Sequence, residues 1–208
     1  MAKKVIVTIG RQFGSGGHLV GERLAKRLGI EFYDKELLSR AAKESGICEK
    51  VLQNYDEKPT NSLLYSIVMD VYPTMAYSGP TLDQQIYQAQ FDTLKKIAAT
   101  ESCVIIGRGA DYILEGTPGL TSVFIHASRE SRIKRISERE NLTEAKARDM
   151  MNKRDKKRAS FYNYQTDKKW GEAASYDLSI DTGILGIDGA VEVICNYLEI
   201  KDRIEKNK

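Results

Sequence analysis

Residues 5–18 read Val-Ile-Val-Thr-Ile-Gly-Arg-Gln-Phe-Gly-Ser-Gly-Gly-His, an apolar β-branched run that passes straight into a glycine-rich turn. A continuous run such as Val5–Ile9, without polar alternation, is the pattern of a strand buried on both faces of a parallel sheet. Leu19, Val20, Leu24 and Leu28 then recur at helical spacing, and Gly29 suits a C-terminal cap. A strand, a tight turn and a helix in immediate succession form one β–loop–α unit, and such a unit is built into parallel α/β sheets with right-handed crossovers.

The turn itself has a chemistry. Glycines let the backbone curl so that several N–H groups converge, and the following helix adds partial positive charge at its N-terminus. Gly14, Ser15, Gly16, Gly17 and His18 are therefore the expected phosphate contacts. The Walker pattern GxxxxGK[ST] is not met. With Gly16 as its second glycine, the first glycine falls on Arg11, the lysine on Gly17 and the hydroxyl on His18. Two other readings stay open. Gly14-Ser15-Gly16 also begins a dinucleotide fingerprint, with Asp34 near the spacing of a ribose-binding acid, but Leu19 stands at its third glycine. A tight strand-to-helix turn with no ligand is the other.

The rest of the chain repeats the alternation. Ile30–Tyr33, Cys103–Ile106, Ser122–Ile125 and Leu178–Ile180 read as further strands. Helices are expected at 35–44, 85–99, 129–140, 143–158 and 187–200, with Thr143 as a candidate N-cap. Between about 46 and 84 the periodicity weakens around Pro59, Pro73 and Pro80, which reads as an insert rather than a second domain. The 208 residues are enough for one sizeable core. A formal net charge of +3 gives no argument for a nucleic-acid or membrane partner, and no stretch approaches a membrane span. Three widely spaced cysteines, Cys48, Cys103 and Cys195, form no CxxC pair; a reducing cytoplasm is the expected compartment, and no metal ligand set is expected.

Several charged residues sit where such a sheet presents ligands, beyond the carboxyl ends of its strands. Arg108 follows the strand 103–106 and is placed to fork onto a phosphate, or to steady a turn with Asp111. Asp34 ends another strand, as a substrate contact or as a helix cap. Arg154 and Arg158 are four residues apart and share a helical face, where they would close over a phosphoryl group or be solvated. His126, at a strand end, reads as structural.

Together, Arg11–Gly17, Phe32-Tyr33-Asp34, Ile106-Gly107-Arg108 with Ala110-Asp111, Arg158–Tyr162 and Tyr176–Thr182 resemble the cytidylate kinase-like family of P-loop nucleoside monophosphate kinases. The resemblance runs over most of the chain and is weakest at 46–84. It implies one domain over 1–208 with a three-layer P-loop NTPase fold, a parallel sheet flanked by helices. The core would comprise about 1–45, 85–150 and 172–208, with a helical acceptor-binding insert at about 46–84 and a lid at about 151–171. It also implies Arg108 as the holder of the acceptor's phosphate. Arg154, Asp155 and Arg158 would form the lid element that touches acceptor and phosphoryl group. Asp34 and Asp111 join the acceptor side. Three departures from the family pattern stand out: Gly17 for lysine, His18 for a small residue, and Gly109 where an acid is expected after Arg108.

The expected activity is transfer of the γ-phosphoryl of ATP, with Mg2+, to a small acceptor, foremost a nucleoside monophosphate. Arg11, Arg108, Arg154 and Arg158 are the expected catalytic cations, with Arg11 or a lid arginine substituting for the lysine. The alternatives are a non-catalytic nucleotide sensor and a kinase for a different small acceptor.

Overall fold

The computed structural model describes residues 4–34 and 82–207. The expected helix 35–44 and nearly all of the acceptor-binding insert 46–84 lie outside these residues, as does Cys48.

Five strands form one all-parallel sheet in the order β2-β3-β1-β4-β5. They are β1 (Ile6–Arg11), β2 (Glu31–Tyr33), β3 (Cys103–Ile106), β4 (Leu120–His126) and β5 (Leu178–Asp181). The described helices are α1 (Gly17–Leu28), α2 (Leu82–Thr100), α3 (Ala110–Ile113), α4 (Arg129–Glu140), α5 (Glu144–Gln165) and α6 (Thr182–Lys206). The last of these is interrupted at Gly186, where the backbone turns to φ 67°.

The central strand β1 pairs with β3 from Ile6 opposite Cys103 to Ile9 opposite Ile106, and with β4 from Ile6 opposite Leu120 to Arg11 opposite Ile125. Alternation along the strands sends Val7, Ile9, Val104, Ile106, Val123 and Ile125 to one face, where α1 and α6 cover them with Val20, Leu24, Val191 and Ile194. The other face presents Ile6, Cys103 and Ile105 to Leu94 and Ile97 of α2 and Ile113 of α3. Helix, sheet and helix make the three expected layers. Cys103 and Cys195 are buried free thiols, and burial pushes Cys103 up to about 12.

The five expected strands are all present, and the expected helix 129–140 is α4 to the residue. Thr143 does cap α5, its hydroxyl accepting from the Lys146 amide at 3.4 Å. Helix α2 begins at Leu82 rather than 85, the short α3 was not expected, and α5 and α6 differ more in extent. Helix α5 continues past 158 to Gln165, because Tyr162 is buried against Phe124 and Tyr176 and the helix stops only at Thr166. Helix α6 starts at Thr182, before the expected 187, with the Asp181 side chain accepting from the Gly183 amide at 2.7 Å.

Helices α4 and α5 pack on each other through Ile133, Ile136, Ala147 and Met151, with Phe13 of the glycine-rich loop against them. Ile136 has no exposed surface and lies directly under Gly14. Ile136→Ala should cost about 2–5 kcal/mol, the range for a truncated buried aliphatic residue. In urea unfolding this should read as a lowered midpoint with an unchanged slope.

Candidate active site

The glycine-rich loop is held from outside by its carbonyls. Arg135 donates to Gly14 O at 2.9 Å, Arg132 to Phe13 O at 3.4 Å, and Arg158 to Arg11 O at 3.2 Å. The Thr182 hydroxyl lies 2.5 Å from Ser15 O and 3.2 Å from His126 O. Within the loop, Ser15 donates to Gln12 O from both its amide, at 3.3 Å, and its hydroxyl, at 2.8 Å. Gln12 in turn accepts from the Ala127 amide at 3.3 Å. Carbonyls satisfied in this way leave the loop shape fixed before any ligand binds. The first-turn amides of α1 have no intrahelical acceptor, which makes them anion donors. Gly14 and Gly16 adopt φ of 79° and 81°, the left-handed region the loop needs at both places.

Asp155 carries the attachment of α5. One of its carboxylate oxygens accepts from the Phe13 amide at 2.7 Å and the other from Arg132 at 2.5 Å. Both oxygens therefore serve the loop and α4, and Asp155 is not among the residues that line the cleft beside it. The Phe13 ring faces the guanidinium groups of Arg139, Arg154 and Arg158, at 5.1, 5.9 and 5.6 Å from its centroid. Arg154 is exposed and sits on this ring rather than in the cleft.

The cleft opens between the ends of β1 and β3. Arg11, Arg108 and Arg158 line it together with Asp111, and Tyr162, Trp170 and Tyr176 form an aromatic wall. Its volume is about 30 Å³, less than a nucleotide occupies. Arg108 has φ 63° between Gly107 at 71° and Gly109 at 63°. A non-glycine residue held there costs about 1–2 kcal/mol, and such strain concentrates at functional sites. Burial pushes the Arg108 guanidinium down to about 10; Asp34 opposes the shift and Arg158 adds to it. Arg108 is still fully charged at neutral pH.

Asp111 is 7% exposed and accepts from the Tyr162 hydroxyl at 2.6 Å. Burial raises its carboxyl above the ordinary value, more than this hydrogen bond lowers it. Burial and the neighbouring carboxylate push the Tyr162 phenol up as well, and Tyr176 up to about 12. His18 Nε2 stands 3.2 Å from Asp34 Oδ2, with the imidazole edge-on to Phe32. His126 Nδ1 is 3.9 Å from Asp181 Oδ2, a contact between strand ends.

Of the residues expected from sequence, Arg11, Arg108, Asp111 and Arg158 meet in one cleft, while Arg154 and Asp155 attach to the loop instead. Arg132, Arg135 and Thr182 hold the loop and were not anticipated as site residues. The signal for the two arginines was the basic composition of 129–158, which does not distinguish a loop contact from a solvated charge. No helix among the described residues is long and apolar enough to cross a membrane.

Residues 6–184 match the sequence model of the cytidylate kinase-like family. The chain is 28% identical over 183 residues to the cytidylate kinase of Methanothrix thermoacetophila, covering 86% of this chain and 89% of that one. It is similar to the crystal structure of an uncharacterized protein from Eubacterium ventriosum, with a TM-score of 0.72, 33% identity, and coverage of 94% of this chain and 99% of that one. A gluconokinase from Sinorhizobium meliloti superposes with a TM-score of 0.52 at 16% identity, over 99% of this chain and 95% of that one, a likeness of fold alone. With the parallel sheet, the glycine-rich loop and this match over most of its length, the chain belongs to the cytidylate kinase-like family.

Proposed function

We propose that the protein transfers the γ-phosphoryl group of ATP to a nucleoside monophosphate. One observation supports this: Arg11, at the end of β1 where the glycine-rich loop begins, lines a single cleft with Arg108 and Arg158. In the reaction the bond from Pγ to the β,γ-bridging oxygen breaks, and its electron pair stays on ADP. A phosphate oxygen of the acceptor forms the new bond to Pγ. That oxygen is already ionised near neutral pH, since a phosphate monoester loses its second proton at about pH 6, so no base is required. What the reaction needs is alignment and charge neutralisation.

The loop amides of Gly14–His18 would wrap the donor phosphates, and Arg108 would hold the acceptor's phosphate by a forked pair of hydrogen bonds. Arg158, tied to the Arg11 carbonyl at 3.2 Å, would follow the lid and meet the transferring group, with Arg154 one turn before it. Asp34, between His18 and Arg108, would orient the acceptor. Asp111 would act through Tyr162 on the aromatic wall.

The described residues do not build a magnesium site. His18 replaces the Walker hydroxyl and faces Asp34, and no group of three or more metal-ligating side chains exists among the described residues. Mg2+ would then arrive on the phosphates of ATP itself, with few protein ligands, as this ion commonly does.

ATP consumption across a panel of nucleoside monophosphates tests the function. Turnover with one or more of them is expected, and Arg108→Ala should raise the acceptor KM by about 30-fold or more, the loss of a charged hydrogen-bonded pair. Saturable ATP binding without turnover on any acceptor would instead favour a sensor, and turnover only on another small acceptor would reassign the substrate.

The closed cleft gives a second expectation. Backbone amides of 151–171 should exchange faster in the free protein than with a bisubstrate analogue bound; equal exchange in both would count against a lid.

Asp111 gives a third. Its raised carboxyl means the folded state prefers the protonated form. The stability this contributes is complete below the ordinary value of 3.8 and is lost as pH rises through the raised one. Asp111→Asn keeps an acceptor for Tyr162 and cannot ionise, so its Tm relative to wild type should increase from about pH 4 to about pH 7. Parallel Tm profiles would show that Asp111 does not carry the effect.

A further inference from the structure

The loop departs from the Walker pattern at three positions, and the geometry joins two of them, Arg11 for the first glycine and Gly17 for the lysine, into a single change. Alternation along β1 turns Arg11 to the same face as Val7 and Ile9, the face that α1 covers. Helix α1 begins at Gly17, immediately over that end of the strand. A Cβ on Gly17 would lie 2.6 Å from Arg11 Cβ, 3.2 Å from Arg11 Cγ and 3.2 Å from Ile125 Cβ. Backbone-near carbons cannot swing aside, so position 17 accepts no side chain while Arg11 keeps its course. At the far end, Arg11 Nη1 takes up the space that a Cβ on Gly107 would occupy. The side chain thus crosses the start of α1 and ends against the tip of β3, in the cleft with Arg108 and Arg158.

We propose that Arg11 supplies, from the start of the loop, the phosphate-bridging cation that a lysine at position 17 would supply, and that Gly17 and Gly107 are side-chain-free to let it pass. This rests on the kinase function proposed above. Arg11 approaches from the strand side and ends beside the arginine proposed to hold the acceptor, so its guanidinium is placed to span both phosphates. Its planar fork can bind two oxygens at once, which an ammonium does only as a point charge. The exchange is therefore a relocation of the cation toward the acceptor side.

The test uses the full chain as wild type, Arg11→Met, Gly17→Lys and the double variant R11G/G17K. Both kcat and the affinity for ATP without acceptor are measured, the latter by calorimetry. Arg11→Met keeps the β and γ carbons over Gly17 and removes the guanidinium. It should lower kcat by about 100-fold or more with an unchanged unfolding transition. Gly17→Lys should be equally impaired, because its stem meets Arg11. The double variant should recover about tenfold or more over Gly17→Lys, a coupling that two independent sites would not show. Wild-type kcat in Arg11→Met, or a double variant no better than Gly17→Lys, would overturn the exchange; should Gly17→Lys not fold, Arg11→Met decides alone. If wild type turns over no acceptor, the kinase function fails, and ATP affinity still decides the role of Arg11. A loss of about tenfold or more in Arg11→Met supports it, and equal affinity overturns it.

Discussion

The Asp155 carboxylate is the interaction on which the functional end of the molecule depends. It joins the Phe13 amide of the loop, 142 residues away, to Arg132 of α4 and to its own helix α5. The Asp155 and Arg132 side chains are only 17% and 10% exposed, so neither is freely hydrated. Losing one partner of so buried a pair generally costs more than the pair itself contributes, because a charge is left without compensation. Phe13 adds a second attachment, its ring faced by guanidinium groups of both α4 and α5. Loop shape and helix position are therefore set together, and a displacement of α5 is felt in the glycine-rich loop.

Most of the scaffold was legible because it rests on local patterns. The β-branched runs marked the strands, and Thr143 marked the start of α5. The helical periodicity did not reveal that α5 continues through Phe161–Tyr164. Aromatic residues after a basic helix look like a loop until Tyr162 is seen against Phe124 and Tyr176. The four-residue helix α3 was missed for a related reason. It is created by the three left-handed residues at 107–109, and no residue type at 108 announces that conformation.

The site was legible in kind but only partly in detail. Arg108, Asp111, Arg11 and Arg158 were singled out and do share a cleft. Asp155 was read as an acceptor contact, whereas both of its oxygens are engaged with the loop and Arg132. Spacing along a helix says which residues share a face; what that face meets depends on how α4 and α5 pack on the loop, which lies more than a hundred residues away in the chain. The loop-holding roles of Arg132, Arg135 and Thr182 were hidden for the same reason.

The 2.6 Å approach between position 17 and Arg11 also constrains how such a sequence can change over time. A side chain at 17 would meet the Arg11 stem, so on the reading proposed above a lysine at 17 and an arginine at 11 exclude each other. Passing between the two loop chemistries would then take coupled changes at both positions, 11 and 17.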